Sequence, residues 1–504
     1  MSSPPATPPT TPFPVPAARA DPVGSAQDAS VPGGGRGFST LFAVDLWERF
    51  SFYGMASILV LYLTATPADG GLGMAPQTGT AVFAAYMALN FMAGLPGGWL
   101  ADRVLGTRRS VLLGGTLIAA GHVVLAVPMV PALYGGLLLV VAGTGLVKPA
   151  VAALVAAVSG SGRREAAFSV FYMSIQVSAL TAPLVTGALA ERVAWHLGFV
   201  AAAVGMALGL VFFTLGLRRF GTTGRHPEHP LPPGGARPVL LRTSWTCAAV
   251  AVLAVTAVAA GLRRVEPVLL VIALVAVALP YAFLARLRRR AHLTVDKRRD
   301  LRAFTLLMTA SAGFWMIFAQ SGSVLGLFAA GHTRRSVLGF EVPASWFQAA
   351  HPLFVLMLAP LSARFLSRAR DRLTVPAKFA VAITAAGVSY LVMAAAAAMA
   401  GRGEVSPLWL LAVYLLFSCG ELTLAPVALA LAAEVAPPGH TGQFLALNGL
   451  FGAVGVMFGG QLFRLTNVLA LPTYFLLLGT LTVAVGFAVG LARGRLRVGP
   501  ARRD

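Results

Sequence analysis

Long apolar segments alternate with short polar loops along most of this chain. From residue 38 onward, apolar stretches of about 20 residues recur, each long enough to cross roughly 30 Å of hydrocarbon as an α-helix. The predicted helices cover 38–64, 79–101, 109–130, 132–158, 166–190, 195–217, 244–262, 266–286, 303–330, 346–368, 376–400, 406–435, 442–464 and 471–492. The pattern predicts an all-α integral membrane protein with fourteen transmembrane helices.

The composition agrees with this prediction. Hydrophobic residues make up 57% of the chain, charged residues only 11%, and the mean hydropathy is +0.77, which excludes an ordinary soluble domain. Residues 1–36 are instead rich in Pro, Ser, Thr and Gly, and we expect a disordered tail without a cleaved signal peptide. Cys247 and Cys419 both fall in apolar runs, so the sequence supports neither a disulfide framework nor a cysteine metal site.

The positive charges indicate the orientation in the membrane. Of the 39 Lys and Arg residues, thirty fall in loops on the side of the N-terminus and seven on the opposite side, with Arg49 and Lys148 inside helices. The positive-inside rule therefore predicts that both termini are cytoplasmic. The net charge of +21 lies in short loops rather than on a soluble face, so we expect no nucleic-acid partner.

The helices divide into two sets of six with a pair between them. The predicted helices at 244–262 and 266–286 contain no charge in mid-span, and we interpret them as accessory helices facing lipid. Six helices on each side give the layout of major facilitator transporters, whose halves are related repeats. The predicted organisation is a cytoplasmic tail 1–36, an N-terminal bundle 37–217, a region 218–302 of basic loops and accessory helices, a C-terminal bundle 303–492, and a tail 493–504.

The loop between the second and third helices carries a recognisable motif. GGWLADRVLGTRR (97–109) resembles the corresponding loop of that superfamily, in which a Gly-rich helix end allows close packing and an acid faces arginines across a tight turn. We interpret Asp102, Arg103, Arg108 and Arg109 as a conformational latch on the cytoplasmic side.

Charged residues inside the predicted helices are the candidates for function, because a charge at a helix centre costs about 2.5–3.5 kcal/mol on insertion scales. The five are Asp45, Glu48, Arg49, Lys148 and Glu421. The spacing of three to four residues in DLWERFSFYG (45–54) places the first three on one broad helix face together with Tyr53. That face must meet water, a ligand or opposite charges.

DLWERFSFYG resembles the E-x-x-E-R-F-x-Y-Y-G signature of the proton-dependent oligopeptide transporter family, a branch of the major facilitators. Five further stretches resemble that family in order: GTGLVKP (143–149), FYMSIQVSALTAPL (171–184), GFWMIFAQSGSVL (313–325), LGFEVPASWFQAAHPLFVLMLAP (338–360) and GELTLAP (420–426). The resemblance covers roughly residues 38–492.

The resemblance implies uptake of di- and tripeptides driven by the proton gradient, through a cavity that opens alternately to each side. It assigns proton coupling to Asp45, Glu48, Arg49 and Lys148. It assigns substrate binding to Arg49, Tyr53, Lys148, Gln176, Trp315, His351 and Glu421. Arg49 and Lys148 would lie near the peptide carboxylate, and Glu421 near its amino group.

Several cavity positions depart from the family pattern. Asp45, Phe52, Ala56, Phe91, Gln176, Ala319, His351 and Asn448 replace a Glu, a Tyr, an Arg, a Tyr, an Asn, a Glu, an Asn and a Trp. The missing acid at Ala319 leaves three alternatives for Lys148: substrate pairs with it, Glu48 pairs with it, or it becomes neutral. His351 is either a cavity residue or a hydrogen-bonded histidine at the kink beside Pro352.

We therefore predict a monomeric symporter in the plasma membrane, with protons and a small peptide or peptide-like compound as its partners and no cofactor or metal. The altered cavity leaves open an exporter or importer of a modified peptide or amphoteric metabolite. A peptide sensor deficient in transport is disfavoured because the short tails provide no output domain. An enzyme is least favoured because no nucleophile and base pair is visible.

Overall fold

The computed structural model describes residues 34–232, 266–290, 294–337, 339–368, 373–437 and 440–496, together with Pro238 and Leu241. Within these residues the backbone forms thirteen α-helices. They are α1 (Gly34–Thr64), α2 (Pro76–Leu100), α3 (Thr107–Leu125), α4 (Val130–Arg192), α5 (Trp195–Gly216), α6 (Glu266–Arg290), α7 (Val295–Phe318), α8 (Val324–His332), α9 (Ala350–Arg368), α10 (Val375–Ala400), α11 (Leu408–Val435), α12 (Thr441–Leu462) and α13 (Leu471–Leu491). The predicted helix at 244–262 lies outside the described residues.

Eleven stretches of these helices are long and apolar enough to span a membrane. α1 is a twelfth long helix, and its apolar sequence is interrupted near the middle by Asp45, Glu48 and Arg49. The prediction of an all-α membrane protein is confirmed, and the strands among the described residues form one hairpin of β1 (Ser336–Val337) and β2 (Phe340–Glu341).

The structure differs most from the predicted boundaries at two places, besides shifts of a few residues at other helix ends such as that of α1, which begins at Gly34. The fourth and fifth predicted helices belong to one continuous helical segment, α4, which contains spans at Val130–Ser159 and Val170–Arg192. The connecting sequence SGSGRRE (159–165) combines glycines, which are poor helix formers, with Arg and Glu, which are good ones, and its polarity and glycines led to the expectation of a loop. The ninth predicted helix, 303–330, begins earlier, at Val295, and is interrupted by a 3-10 segment at Ala319–Gly322 before α8.

Two bundles make up the molecule, α1–α5 and α7–α13. In the first bundle α1 packs against α4 and α5, and in the second α10 packs against α13. Small residues allow the closest approaches: a Cβ on Gly97 of α2 would collide with the backbone carbonyl of Gly145 in α4. This contact lies three residues before Lys148, so α2 and α4 are held together next to a candidate site residue.

α6 packs across the joint between the two bundles. Leu269 and Ala276 are buried in one cluster with side chains of α1 and α2, whereas Leu284 and Leu287 are buried in the cluster of the second bundle. The ring of Tyr281 meets that of Phe451 in α12 edge to face, with centroids 5.4 Å apart. One face of α6 is therefore covered by protein, and the interpretation as an accessory helix facing lipid applies to the rest of its surface.

Candidate functional site

The charged motif of α1 forms a buried network. Arg49 Nε lies 3.5 Å from Asp45 Oδ1 and 3.4 Å from Glu48 Oε2. Asp45 is 6% exposed and Glu48 2%. The hydroxyl of Ser174 in α4 donates a hydrogen bond of 2.6 Å to Asp45 Oδ2. The helical spacing thus brings the three charges together, and each carboxylate is at salt-bridge distance from the guanidinium.

α4 fixes the position of this network. Ser178, one turn after Ser174, donates a hydrogen bond of 2.7 Å to the carbonyl of Leu46 in α1. Further along, Thr186 donates to the carbonyl of Gly54 at 3.0 Å. Sequence reasoning did not identify these hydroxyls, although serines four residues apart in an apolar helix form a polar stripe that could have indicated the contact.

Lys148 lies at the edge of the same region and is held by an aromatic ring. Its Nζ is 4.5 Å from the centroid of Phe52, a cation–π distance. In the part of the chain that the structure describes, no carboxylate oxygen lies within 4.0 Å of this ammonium. Asp45 and Glu48 are within electrostatic range of it. Phe52, which stands where the resemblance implies a tyrosine, therefore contacts Lys148. The acid expected to pair with Lys148 is replaced by Ala319.

The second bundle contributes a contact between α9 and α11. His351 Nε2 lies 2.7 Å from Glu421 Oε2, and both side chains are mostly buried. Phe318 packs its ring edge to face against the imidazole at 5.1 Å, and Ser418 donates a hydrogen bond of 3.2 Å to the His351 carbonyl. Trp315 packs on Phe318 at 5.3 Å. His351, beside Pro352, is therefore in contact with Glu421 of α11.

Two tyrosines of the first bundle lie close to the glutamate of the second. Tyr53 of α1 lies within electrostatic range of both Arg49 and Glu421. Tyr172 of α4 is also in electrostatic range of Glu421, and Gln176 lies near its hydroxyl. The structure therefore brings the predicted substrate residues of both bundles to one region. No group of three or more His, Cys, Asp or Glu that could hold a metal occurs among the residues it describes.

The predicted latch contacts the chain that follows α5. Arg108 donates hydrogen bonds of 2.7 Å from Nε to the carbonyl of Thr223 and from Nη2 to that of Gly221. The carbonyl of Asp102 accepts a hydrogen bond of 3.0 Å from the backbone N–H of His229. Gly106 turns the chain here with φ +76°, a conformation that favours glycine. Between the described residues, Asp102 forms no ion pair within 4.0 Å with Arg103 or Arg109.

At the opposite end the two bundles are bridged by Glu191, the penultimate residue of α4. Its carboxylate accepts hydrogen bonds from the backbone N–H groups of Ala344 at 2.7 Å and Ser345 at 2.9 Å, and from the Ser345 hydroxyl at 2.5 Å. Arg335 lies 3.9 Å from the same carboxylate. This contact could not be predicted from the sequence, because a glutamate at a helix end is common.

Other bonds between the bundles cluster at this end. Trp346 donates to the Leu184 carbonyl at 3.0 Å, Gln348 to the Ser57 carbonyl at 3.0 Å, and Gln77 to the Thr466 hydroxyl at 3.0 Å. This is the end that the positive-inside rule places outside the cell. We call this set of contacts around Glu191 the outer seal.

Comparison with known proteins decides the family. The sequence pattern of the family described as "POT family" matches residues 108–477 of this chain. The chain is a member of the POT family. It is 35% identical to the "Uncharacterized transporter YclF" of Bacillus subtilis (strain 168) over 456 residues, 90% of this chain and 92% of that protein. It is 32% identical to the "Di-/tripeptide transporter" of Lactococcus lactis subsp. cremoris, over 90% of this chain and 93% of that protein.

A solved structure of a POT-family peptide transporter agrees with the fold. The crystal structure of peptide transporter POT in complex with sulfate superposes with a TM-score of 0.87 at 36% identity, over 93% of this chain and 97% of that one. The predicted major facilitator fold is therefore confirmed. The POT family consists of transporters, so membership places this chain among them.

Proposed function

We propose that this POT-family member is a proton-coupled symporter of di- and tripeptides or peptide-like compounds that works by alternating access. The observation that carries the proposal is the buried network of Arg49 with Asp45 and Glu48. Three charges in mid-helix are costly in a membrane protein, and they mark ion and substrate pathways. Matched relatives named as di-/tripeptide transporters support the substrate class.

Arg49 links the proton to the substrate in this proposal. A guanidinium at 3.4 Å from Glu48 competes with a proton for that carboxylate, because protonation removes the charge that attracts it. When Glu48 is protonated, Arg49 is released to give a two-pronged hydrogen bond to a peptide carboxylate. When substrate leaves, Arg49 returns to Glu48 and the proton departs. Lys148 assists at the carboxylate end, and Asp45 keeps Arg49 in place.

Alternating access is supported by the uneven distribution of contacts between the bundles. The outer seal joins them at one end, so release of substrate would occur at the other end. With both termini in the cytoplasm, this arrangement corresponds to a state open to the cytoplasm. We expect the protein to work as a monomer in the plasma membrane, because one chain supplies both halves of the site, and we expect no enzymatic activity.

Uptake by proteoliposomes tests the function. Purified protein is reconstituted, and accumulation of radiolabelled dialanine and of a peptide panel is measured with the interior alkaline, with equal pH, and with a protonophore. We expect accumulation only with the pH gradient. Binding without gradient-driven accumulation would favour a peptide sensor, and gradient-driven exclusion of substrate would favour an exporter.

Cysteine labelling tests the orientation. In a chain with Cys247 and Cys419 replaced by serine, a cysteine at the exposed position Ala68, in the loop after α1, should react with an impermeant thiol reagent added to intact cells. One at Glu228, in the exposed loop after α5, should react only after the cells are opened. The reverse labelling pattern would reject the orientation.

A further inference from the structure

We propose that the site accepts carboxylate-bearing peptide compounds without a free amino group, such as N-acylated peptides, because His351 occupies the group that would bind the amine. The inference rests on the proposed function for the location of the site. It concerns the two ends of the ligand, which meet different groups in the two bundles.

In the C-terminal bundle, the carboxylate assigned to bind an ammonium is in contact with a histidine. Glu421 is the acid assigned to that role, and its Oε2 is 2.7 Å from His351 Nε2. At this distance the imidazole occupies the position from which a ligand would reach Oε2, and that oxygen is buried. A substrate ammonium must displace His351 before it can reach Oε2 of Glu421, and the displaced ring then loses its contact with the carboxylate.

His351 is held in place for this contact. Phe318 packs against the ring at 5.1 Å with an interplanar angle of 79°, and Ser418 holds the backbone carbonyl at 3.2 Å. Ser418 lies one turn before Glu421 on α11, so the same helix face fixes the backbone and the ring of His351. Displacement of the imidazole therefore also disturbs its packing on Phe318.

The N-terminal bundle, by contrast, leaves a cation available. Lys148 contacts the face of Phe52 at 4.5 Å and has no carboxylate within 4.0 Å in the described ranges. A cation–π contact leaves the N–H groups of the ammonium able to donate to an incoming carboxylate. A ligand with a carboxylate at one end and an amide in place of the amine satisfies both bundles without breaking the His351–Glu421 pair.

Binding of three related probes to the purified full-length protein tests the inference. Dialanine has both end charges, N-acetyl-dialanine lacks the ammonium, and dialanine amide lacks the carboxylate. By calorimetry, N-acetyl-dialanine should bind within about threefold of dialanine, and dialanine amide should bind at least about tenfold more weakly. Discrimination of tenfold or more against N-acetyl-dialanine, or binding of neither peptide, would overturn the inference.

Two variants locate the effect. His351→Asn releases Glu421, so the affinity for dialanine should rise about tenfold relative to that for N-acetyl-dialanine. The control is His332→Asn, at an exposed histidine at the end of α8, and it should leave the ratio of the two affinities unchanged. If His351→Asn fails to fold, Glu421→Gln serves instead, and it should change the affinities for both peptides by the same factor. An unchanged ratio in folded His351→Asn, or a selective loss of dialanine binding in Glu421→Gln, would contradict the inference.

The same measurements separate this inference from the proposed function. Tight binding of N-acetyl-dialanine without any uptake in proteoliposomes would count against transport and leave the inference intact. Robust gradient-driven uptake of dialanine together with rejection of N-acetyl-dialanine would support transport and overturn the inference.

Discussion

The two bundles bring different chemistry to the shared site. In the N-terminal bundle, Arg49 and its two acids lie on one helix at a spacing of three to four residues. In the C-terminal bundle, His351 and Glu421 come from separate helices, seventy residues apart, and are positioned by packing. The charges on α1 stay together when the bundles move relative to each other. The surroundings of both groups of charges change as the opposite bundle approaches or withdraws. The difference favours proton coupling in the first bundle and ligand selection in the second.

The largest expected effect comes from removing the coupling carboxylate. Glu48→Gln should reduce accumulation driven by a pH gradient by at least about 100-fold, the scale of a lost proton-transfer group. Counterflow exchange in the same vesicles should continue, because exchange needs no net proton movement. Glu404→Gln, in an exposed loop between α10 and α11, is the matched control and should accumulate substrate normally. Accumulation by Glu48→Gln at the wild-type rate would assign the coupling proton to another group.

The outer seal gives the next largest effect. Glu191→Gln removes a charge that accepts two backbone N–H groups and a hydroxyl, and hydrogen bonds to a charged group contribute about 1.5–3 kcal/mol each. We expect a net loss of about 2 kcal/mol for the outward-closed state, or about 30-fold in its population ratio. Double electron–electron resonance between spin labels at Ala68 and Val468 should show a larger separation.

Glu341→Gln is the control for the outer seal. Glu341 pairs with the same Arg335 at 2.8 Å, but its side chain is 68% exposed, and exposed pairs contribute little. The distance distribution should therefore match that of the unsubstituted protein. A large separation in both variants would show that the arginine, rather than the backbone contact of Glu191, closes this end.

Lys148→Gln tests the cation of the N-terminal bundle. Loss of one charge-assisted hydrogen bond should weaken dialanine and N-acetyl-dialanine binding alike, by about tenfold or more. Lys378→Gln, in the first turn of α10, controls for the charge change. If only dialanine loses affinity, Lys148 does not bind the carboxylate that the two compounds share.

The smallest expected effect tests whether the two bundles act separately on the two ends of the ligand. Ala319→Glu restores an acid that could face Lys148, at the carboxylate end of the site, so it should change the ratio of dialanine to N-acetyl-dialanine affinity by less than about threefold. Combined with His351→Asn, it should shift the preference toward ordinary dipeptides. Robust dialanine transport that neither change affects would show that these departures from the family pattern are neutral.

Much of the fold was predictable from hydropathy, because a membrane helix must satisfy its own backbone and must be apolar over a fixed length. The network on α1 was predictable for a related reason, since helical spacing alone brings Asp45 and Arg49 together. The pairing of His351 with Glu421 was not predictable, because it depends on the relative register of α9 and α11. The contact of Lys148 with Phe52 likewise depends on how α1 packs against α4.

The contact of Glu191 with the N–H groups of Ala344 and Ser345 has a consequence for variation among sequences. Every residue except proline carries a backbone N–H, so two of the three hydrogen bonds that Glu191 accepts do not depend on the side chains at positions 344 and 345, whereas the third comes from the Ser345 hydroxyl. The acceptor is a single carboxylate at a single position. Replacing Ser345 by alanine removes one of these hydrogen bonds, whereas replacing Glu191 removes the acceptor of all three. Glu191 is therefore a one-position control over how long the outer end stays shut.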